Sequence, residues 1–177
     1  MVSFSSANLD PLDAQIEQRV HHIRAVRDWW PCQKGCDRCC RQLATPPELT
    51  EAEWARVDAA VALLPDTVHQ SIRDRIHQLV NQIVGNMVQG SVICPYLDQE
   101  AGACLIYEAR PIACRTYGFY VGRDRDLYCT IVETEVENRG DRTIMWGNAD
   151  SMDHQLAQAA GKPIPFEVHY EEMGDRA

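Results

Sequence analysis

The sequence predicts a mainly α-helical fold with small β-hairpins, in which N-terminal helices scaffold a cysteine-rich region over about residues 32–129. Three observations predict it. Apolar residues recur at three- and four-residue steps through long stretches of the N-terminal half. Residues that start and stop helices fall at the ends of those stretches. Past Gly90 the apolar runs shorten and alternate with glycine-containing turns, which is hairpin patterning.

The first helix is capped by Asn8 or Asp10, with Pro11 in its first turn, where a missing N–H costs nothing. Leu12, Ile16, Val20, Ile23, Val26 and Trp30 form its apolar stripe, and it ends before Pro31. After the breaker TPPEL, Thr50 and Glu53 make a capping box that opens a second helix over EAEWARVDAAVALL. Pro65 and Asp66 close that helix and begin a third. The third carries Val68, Ile72, Ile76, Leu79, Val80, Ile83, Val84 and Met87 on one face and ends near Gly90.

A hairpin is expected within SVICPYLDQEAGACLIYEARP, with Cys94 and Cys104 on neighbouring strands. EARPIACRTYG reads as a short helix with Pro111 in its first turn, Cys114 on it and Gly118 as its stop. FYVGRDRDLYCTIVE is expected to form a second hairpin containing Cys129, and the acidic residues of VGRDRDLY match no calcium-loop spacing. Further on, NADSMDHQLAQAAG predicts a helix and KPIPFEVHY an extended tail.

At 177 residues and 45% hydrophobic, the chain is expected to form one domain over residues 1–177. Its net charge of −9 repels phosphate backbones, so nucleic acid is not expected as a partner. No run approaches the roughly 20 apolar residues of a membrane span, so no membrane partner is expected either. The first residues carry no basic segment followed by an apolar one, and a cytoplasmic location is expected.

Eight cysteines then demand a use. Cys32, Cys36, Cys39 and Cys40 fall within nine positions, and Cys94, Cys104, Cys114 and Cys129 follow. A reducing compartment keeps thiols from pairing, so they read as ligands before disulfides. Cys36-x2-Cys39 has the knuckle spacing with which a turning backbone wraps thiolates around a soft ion. The adjacent Cys39 and Cys40 diverge from each other, which suits two sites or one polynuclear site better than a single tetrahedral ion.

All eight are candidate ligands for an iron-sulfur cluster or zinc, in one or two sites. Across residues 32–41 and 94–129 basic residues exceed acidic ones by one, against −9 for the chain, and guanidinium groups there offset thiolate charge. A cluster implies electron transfer or redox sensing with a redox or protein partner. Zinc implies a closed structural site supporting a partner-binding surface, and a thiol-exchange protein is a third reading. Packing also has a claim on Cys129, since an isolated cysteine in DLYCTIV serves as a small hydrophobe.

The stretches CQKGCDRCC, CPYL and GACLIYEARPIACRTYG together resemble the YkgJ-like cysteine-cluster proteins, the CxxCxxCC family, described as zinc- or iron-chelating. The resemblance spans residues 32–118, about half the chain. It implies metal ligation by Cys36, Cys39, Cys40, Cys94, Cys104 and Cys114, with Arg110, Pro111, Arg115 and Tyr117 as motif companions. The gap Cys32-x3-Cys36 is one residue longer than the family's. Read over Cys32, Cys36 and Cys39, the C-x3-C-x2-C spacing also resembles radical SAM enzymes, whose long barrel this chain is too short to form. Histidines at 21, 22, 69, 77, 154 and 169 form no i, i+4 metal pair, and no P-loop, G-x-S-x-G or G-x-G-x-x-G is present, so no catalytic residue is assigned.

Overall fold

A computed structural model of the chain describes residues 8–88, 90–123 and 129–174. The fold is helical with two very small sheets. α1 spans Asp10–Ala25, and α2 is a single turn, Arg38–Arg41. α3 and α4 span Glu51–Ala62 and Asp66–Val84. A hairpin of β1 (Leu97–Asp98) and β2 (Ala103–Cys104) leads through a 3-10 turn, Tyr107–Ala109, into α5, Ile112–Thr116. β3 (Tyr120–Val121), α6 (Thr130–Arg139), β4 (Gly147–Asn148), α7 (Ala149–Ala160) and α8 (Phe166–Gly174) complete the described chain.

Two apolar clusters organise these elements. In one, Trp54 and Val57 of α3, Ile72, Ile76 and Leu79 of α4 and Phe166 of α8 bury one another, with Tyr96, Ile106 and Ala109 from the hairpin region. In the other, Leu12, Ile16 and Ile23 of α1 meet Trp30, Ile112, Phe119, Val132 of α6 and Met152 of α7. Aromatic rings fill the second, with Trp30 lying 5.8 Å from Phe119 and 5.5 Å from Trp146. Most of each helical stripe is thus core, as its periodicity requires, although Val26 at the end of the first is exposed.

The capping box at Thr50 and Glu53 forms as expected, and Asn148 caps α7 by accepting the Ser151 N–H at 2.8 Å. Several expectations are corrected. α1 has Leu9 as its N-cap without a side-chain bond, and stops at Ala25, so Trp30 is buried from the following turns. α4 stops at Val84, because Asn86 turns into the left-handed region at φ 51°; Val84 and Met87 consequently stand exposed instead of joining the stripe.

Cys94 precedes β1, where Leu97 and not Cys94 is the partner of Cys104. Among the described residues Cys129 lies in no hairpin. β3 pairs in parallel with the distant β4, Tyr120 opposite Gly147, while Cys129 is the N-cap of α6. Residues 124–128, within the expected hairpin, lie outside the described residues. The tail is helical from Phe166, and His169 N–H donates to the carbonyl of Pro165 at 3.1 Å, so Pro165 opens a helix where an extended tail was expected. Gly147 is required by its neighbour, for a Cβ there would lie 2.3 Å from the Tyr120 ring.

Candidate metal centre

The segment after α2 runs beside the segment before β1, and this pairing joins the two halves of the cysteine set. Leu43 and Val92 exchange backbone hydrogen bonds at 3.0 and 2.8 Å, and Cys94 N–H donates to the Cys40 carbonyl at 2.7 Å. Arg41 extends the joint. Its Nε meets Asp37 at 2.5 Å and its Nη2 donates to the Gln99 carbonyl in the hairpin turn at 2.8 Å. The cysteines around 32–40 and those at 94–114 therefore share one place in the fold.

The eight thiols are free of disulfides; Cys129 is buried and the other seven are half-buried. The Cys39 and Cys40 side chains lie close enough to perturb each other, and Cys40 that of Cys94. Cys104 and Cys114 lie within electrostatic reach of Cys39, and Cys114 also of Cys40. Five thiols thus form one group. Cys32 forms a second with Cys36 and Cys129, and Cys39 stands between the two groups. Cys39 and Cys40 diverge as neighbours must: Cys39 lines the cavity against α1, and Cys40 does not.

Desolvation keeps these groups protonated. Burial first, then the neighbouring Cys36, Cys129 and Cys39, push the Cys32 thiol up to about 12. At Cys40 the bond from Cys39 favours the thiolate, but donation toward Cys94 and burial outweigh it and raise the thiol to about 12. The bond to Cys40, then burial, push Cys39 far up, and burial raises Cys104 and Cys114. Arg110 opposes the last two shifts. Its guanidinium stacks 3.7 Å over Tyr107 and donates to the Tyr107 carbonyl at 3.0 Å, so it is held beside Cys104 and Cys114.

α5 is too short to be stable alone and is held from both ends. At its start, Ile112 N–H donates to Glu53 Oε1 at 2.9 Å, while Glu53 Oε2 accepts from Thr50 N–H at 3.0 Å. At its end, Arg115 pairs with Asp13 and reaches Glu17 at 3.2 Å. Asp13 also pairs with the buried Arg56 at 2.8 Å. Pro111 is the N-cap and not a residue of the first turn. Two motif companions gain a physical role here: Pro111 starts the helix that carries Cys114, and Arg115 anchors it to α1.

Gly118 follows at φ +81°, and a Cβ on it would stand 3.3 Å from the Cys32 sulfur. The Cys32 thiol donates to the Tyr117 carbonyl at 3.6 Å. The Tyr117 hydroxyl is raised to about 12 by burial and then by Cys129, Cys39 and Cys32.

The donor set fits a thiophilic metal: soft sulfur atoms, partly withdrawn from water, with guanidinium charge nearby. Among the described residues no three His, Cys, Asp or Glu side chains are set closely enough around one point to hold an ion. Ligation would require the thiols to lose their protons and the sulfurs to draw together around a cation. Glu53, Asp13 and Arg56 were not singled out as site residues from sequence. The capping box marked Glu53, but its second carboxylate oxygen is spent on a helix 59 residues away.

His21 lines the cavity that Cys32, Cys36 and Cys39 face, whereas His169 stacks on Trp54 at 4.2 Å and meets Asp58 at 3.1 Å. Among the described residues, no helix is long and apolar enough to cross a membrane. No curated protein and no solved structure matches the chain. A family model does, over residues 31–141, described as “Putative zinc- or iron-chelating domain”. With most of its length and all eight of its cysteines inside that match, the chain belongs to the CxxCxxCC family of zinc- or iron-chelating domains.

Proposed function

We propose that the cysteines hold a polynuclear iron-sulfur centre and that the protein works in electron transfer or redox sensing, with a protein partner in the cytoplasm. The observation that carries this reading is the grouping of five thiols, Cys39, Cys40, Cys94, Cys104 and Cys114, with Cys32, Cys36 and Cys129 adjoining through Cys39. One tetrahedral ion takes four donors, so this supply suits a core of several metals. The centre would supply one-electron chemistry. Arg110 would offset the charge that thiolate ligation leaves behind and so tune the potential.

The test is anaerobic purification followed by elemental analysis for iron, zinc and acid-labile sulfide, with a visible spectrum. Iron with sulfide, and a brown colour absorbing near ~400 nm that bleaches on reduction, is the expected result. A colourless protein with stoichiometric zinc would replace this reading with a zinc-stabilised structural or partner-binding role.

A further inference from the structure

A cavity of about 810 Å³ opens between α1 and the cysteine loops. Five of the eight thiols line it, among them Cys32, Cys36 and Cys129, whereas Cys94 lines a separate cavity beside α4. Five arginines face it against four carboxylates, in a chain whose net charge is −9. Positive charge has therefore been gathered here against the trend of the molecule.

Not all of that charge is spent within the protein. Arg115 and Arg56 are paired through Asp13, and Arg110 is held on Tyr107. Arg38 forms no hydrogen bond or ion pair among the described residues, and it stands close enough to Tyr117 to favour that residue's ionised form. Arg24 donates one Nη to the Cys32 carbonyl and lies 5.3 Å over the Phe119 ring, yet its Nε is buried without a partner. Arg56, with its side chain only 3% exposed, also has an unpartnered buried Nε. Both arginines line this cavity. Buried donors are satisfied in nearly every native structure, so these ask for an acceptor that the described residues do not provide.

We infer that this cavity binds a small organic anion, with a carboxylate or like oxyanion end received by Arg24 and Arg38 and an aromatic or apolar body lying against Tyr107, Tyr117 and Phe119. The cavity has the volume of a small-molecule site, and its mixture of apolar wall and a few fixed charges is the composition such sites have. Bidentate carboxylate recognition is what guanidinium groups do best. This deepens the metal reading on which it rests, because the same thiols place the anion beside the centre. A substrate or a ligand that reports on the centre's state would thus be an acidic organic molecule.

The probe is benzoate, with neutral benzamide as its isostere, titrated into the full-length, anaerobically purified protein by calorimetry and thermal melting. Saturable binding of benzoate, a rise in melting temperature, and at least tenfold weaker binding in Arg38→Gln with metal content unchanged are expected. Arg24→Gln should weaken binding similarly. Because it also loses the bond to Cys32, the exposed Arg38 is the cleaner variant. No benzoate binding, equal binding of benzamide, or undiminished binding in Arg38→Gln would overturn the inference. Metal content measured on the same samples judges the metal reading separately, since calorimetry detects the anion whether or not metal is bound.

Discussion

The Glu53 carboxylate accepts the Ile112 N–H at 2.9 Å, and so one buried side chain caps both its own helix and the helix that carries Cys114. Glu53 is 1% exposed, and its other oxygen takes both the N–H and the hydroxyl of Thr50. Removing it strands those donors in a dry place. Glu53→Ala should therefore cost about 2–4 kcal/mol, as several buried polar groups lose their acceptor, and metal content should fall with it. Urea denaturation and elemental analysis check both effects. An unchanged midpoint would remove Glu53 from its positioning role.

Asp13 gathers two arginines from different helices, Arg56 at 2.8 Å and Arg115 of α5. With Arg56 side-chain exposure at 3%, Asp13→Ala leaves a buried guanidinium without its counter-charge. Loss of about 2–4 kcal/mol is expected, in the range for breaking one partner of a buried pair. Reduced protection of the α5 amides in hydrogen exchange would locate the damage at the helix carrying Cys114.

Cys114→Ser should lower both bound metal and melting temperature, because ligand binding energy is also folding energy. Cys40→Ser should do the same, since Cys40 bonds to Cys94 and joins the two halves of the cysteine set. Cys129→Ser separates ligand from packing roles: Cys129 is buried at 5% beside Val132 and Phe119. Loss of metal in that variant marks it as a ligand. Unchanged metal with a lower melting temperature marks it as core.

The metal-free, reduced protein should lose stability in alkali. Cys32 and Cys40 titrate near 9.0 when unfolded and about 12 when folded, so the fold favours their protonated forms. Raised folded-state values give a contribution that is complete below pH 9 and disappears as pH climbs toward 12. Melting temperature should drop across that window while the thiolate absorbance of the folded protein lags behind that of the unfolded chain. The metal-loaded protein should behave oppositely, losing metal as the solution is acidified, because its sulfurs must be deprotonated. Identical profiles for the two forms would contradict thiolate ligation.

How much of this could be read from the chain depends on where the information sits. Local signals served well. Thr50 and Glu53 announce α3, Asn148 announces α7, and the periodic apolar residues mark α1 and α4 as core helices. α8 was hidden because Pro163 and Pro165 read as breakers, although a proline before a first turn is where a helix tolerates one. α6 was hidden too, for TIVETEVENR holds only three aliphatic residues, Ile131, Val132 and Val136, and buries only Val132. The parallel pairing of Tyr120 with Gly147 depends on residues far apart, and no local pattern encodes it.

The candidate site divides the same way. CQKGCDRCC and its later companions name the thiols, and the structure brings the two stretches together through Leu43 with Val92 and Cys40 with Cys94. Which sulfurs face the cavity, and which residues steady α5, follow from tertiary contacts of Asp13, Glu53 and Arg24 that no spacing rule contains.

X-ray absorption at the iron and zinc edges of the anaerobically purified protein tests the central claim most directly. A first shell of sulfur at about 2.3 Å is the predicted result, with a short metal–metal distance if the centre is polynuclear. A shell of oxygen or nitrogen alone, or a folded protein with no metal edge at all, would contradict it.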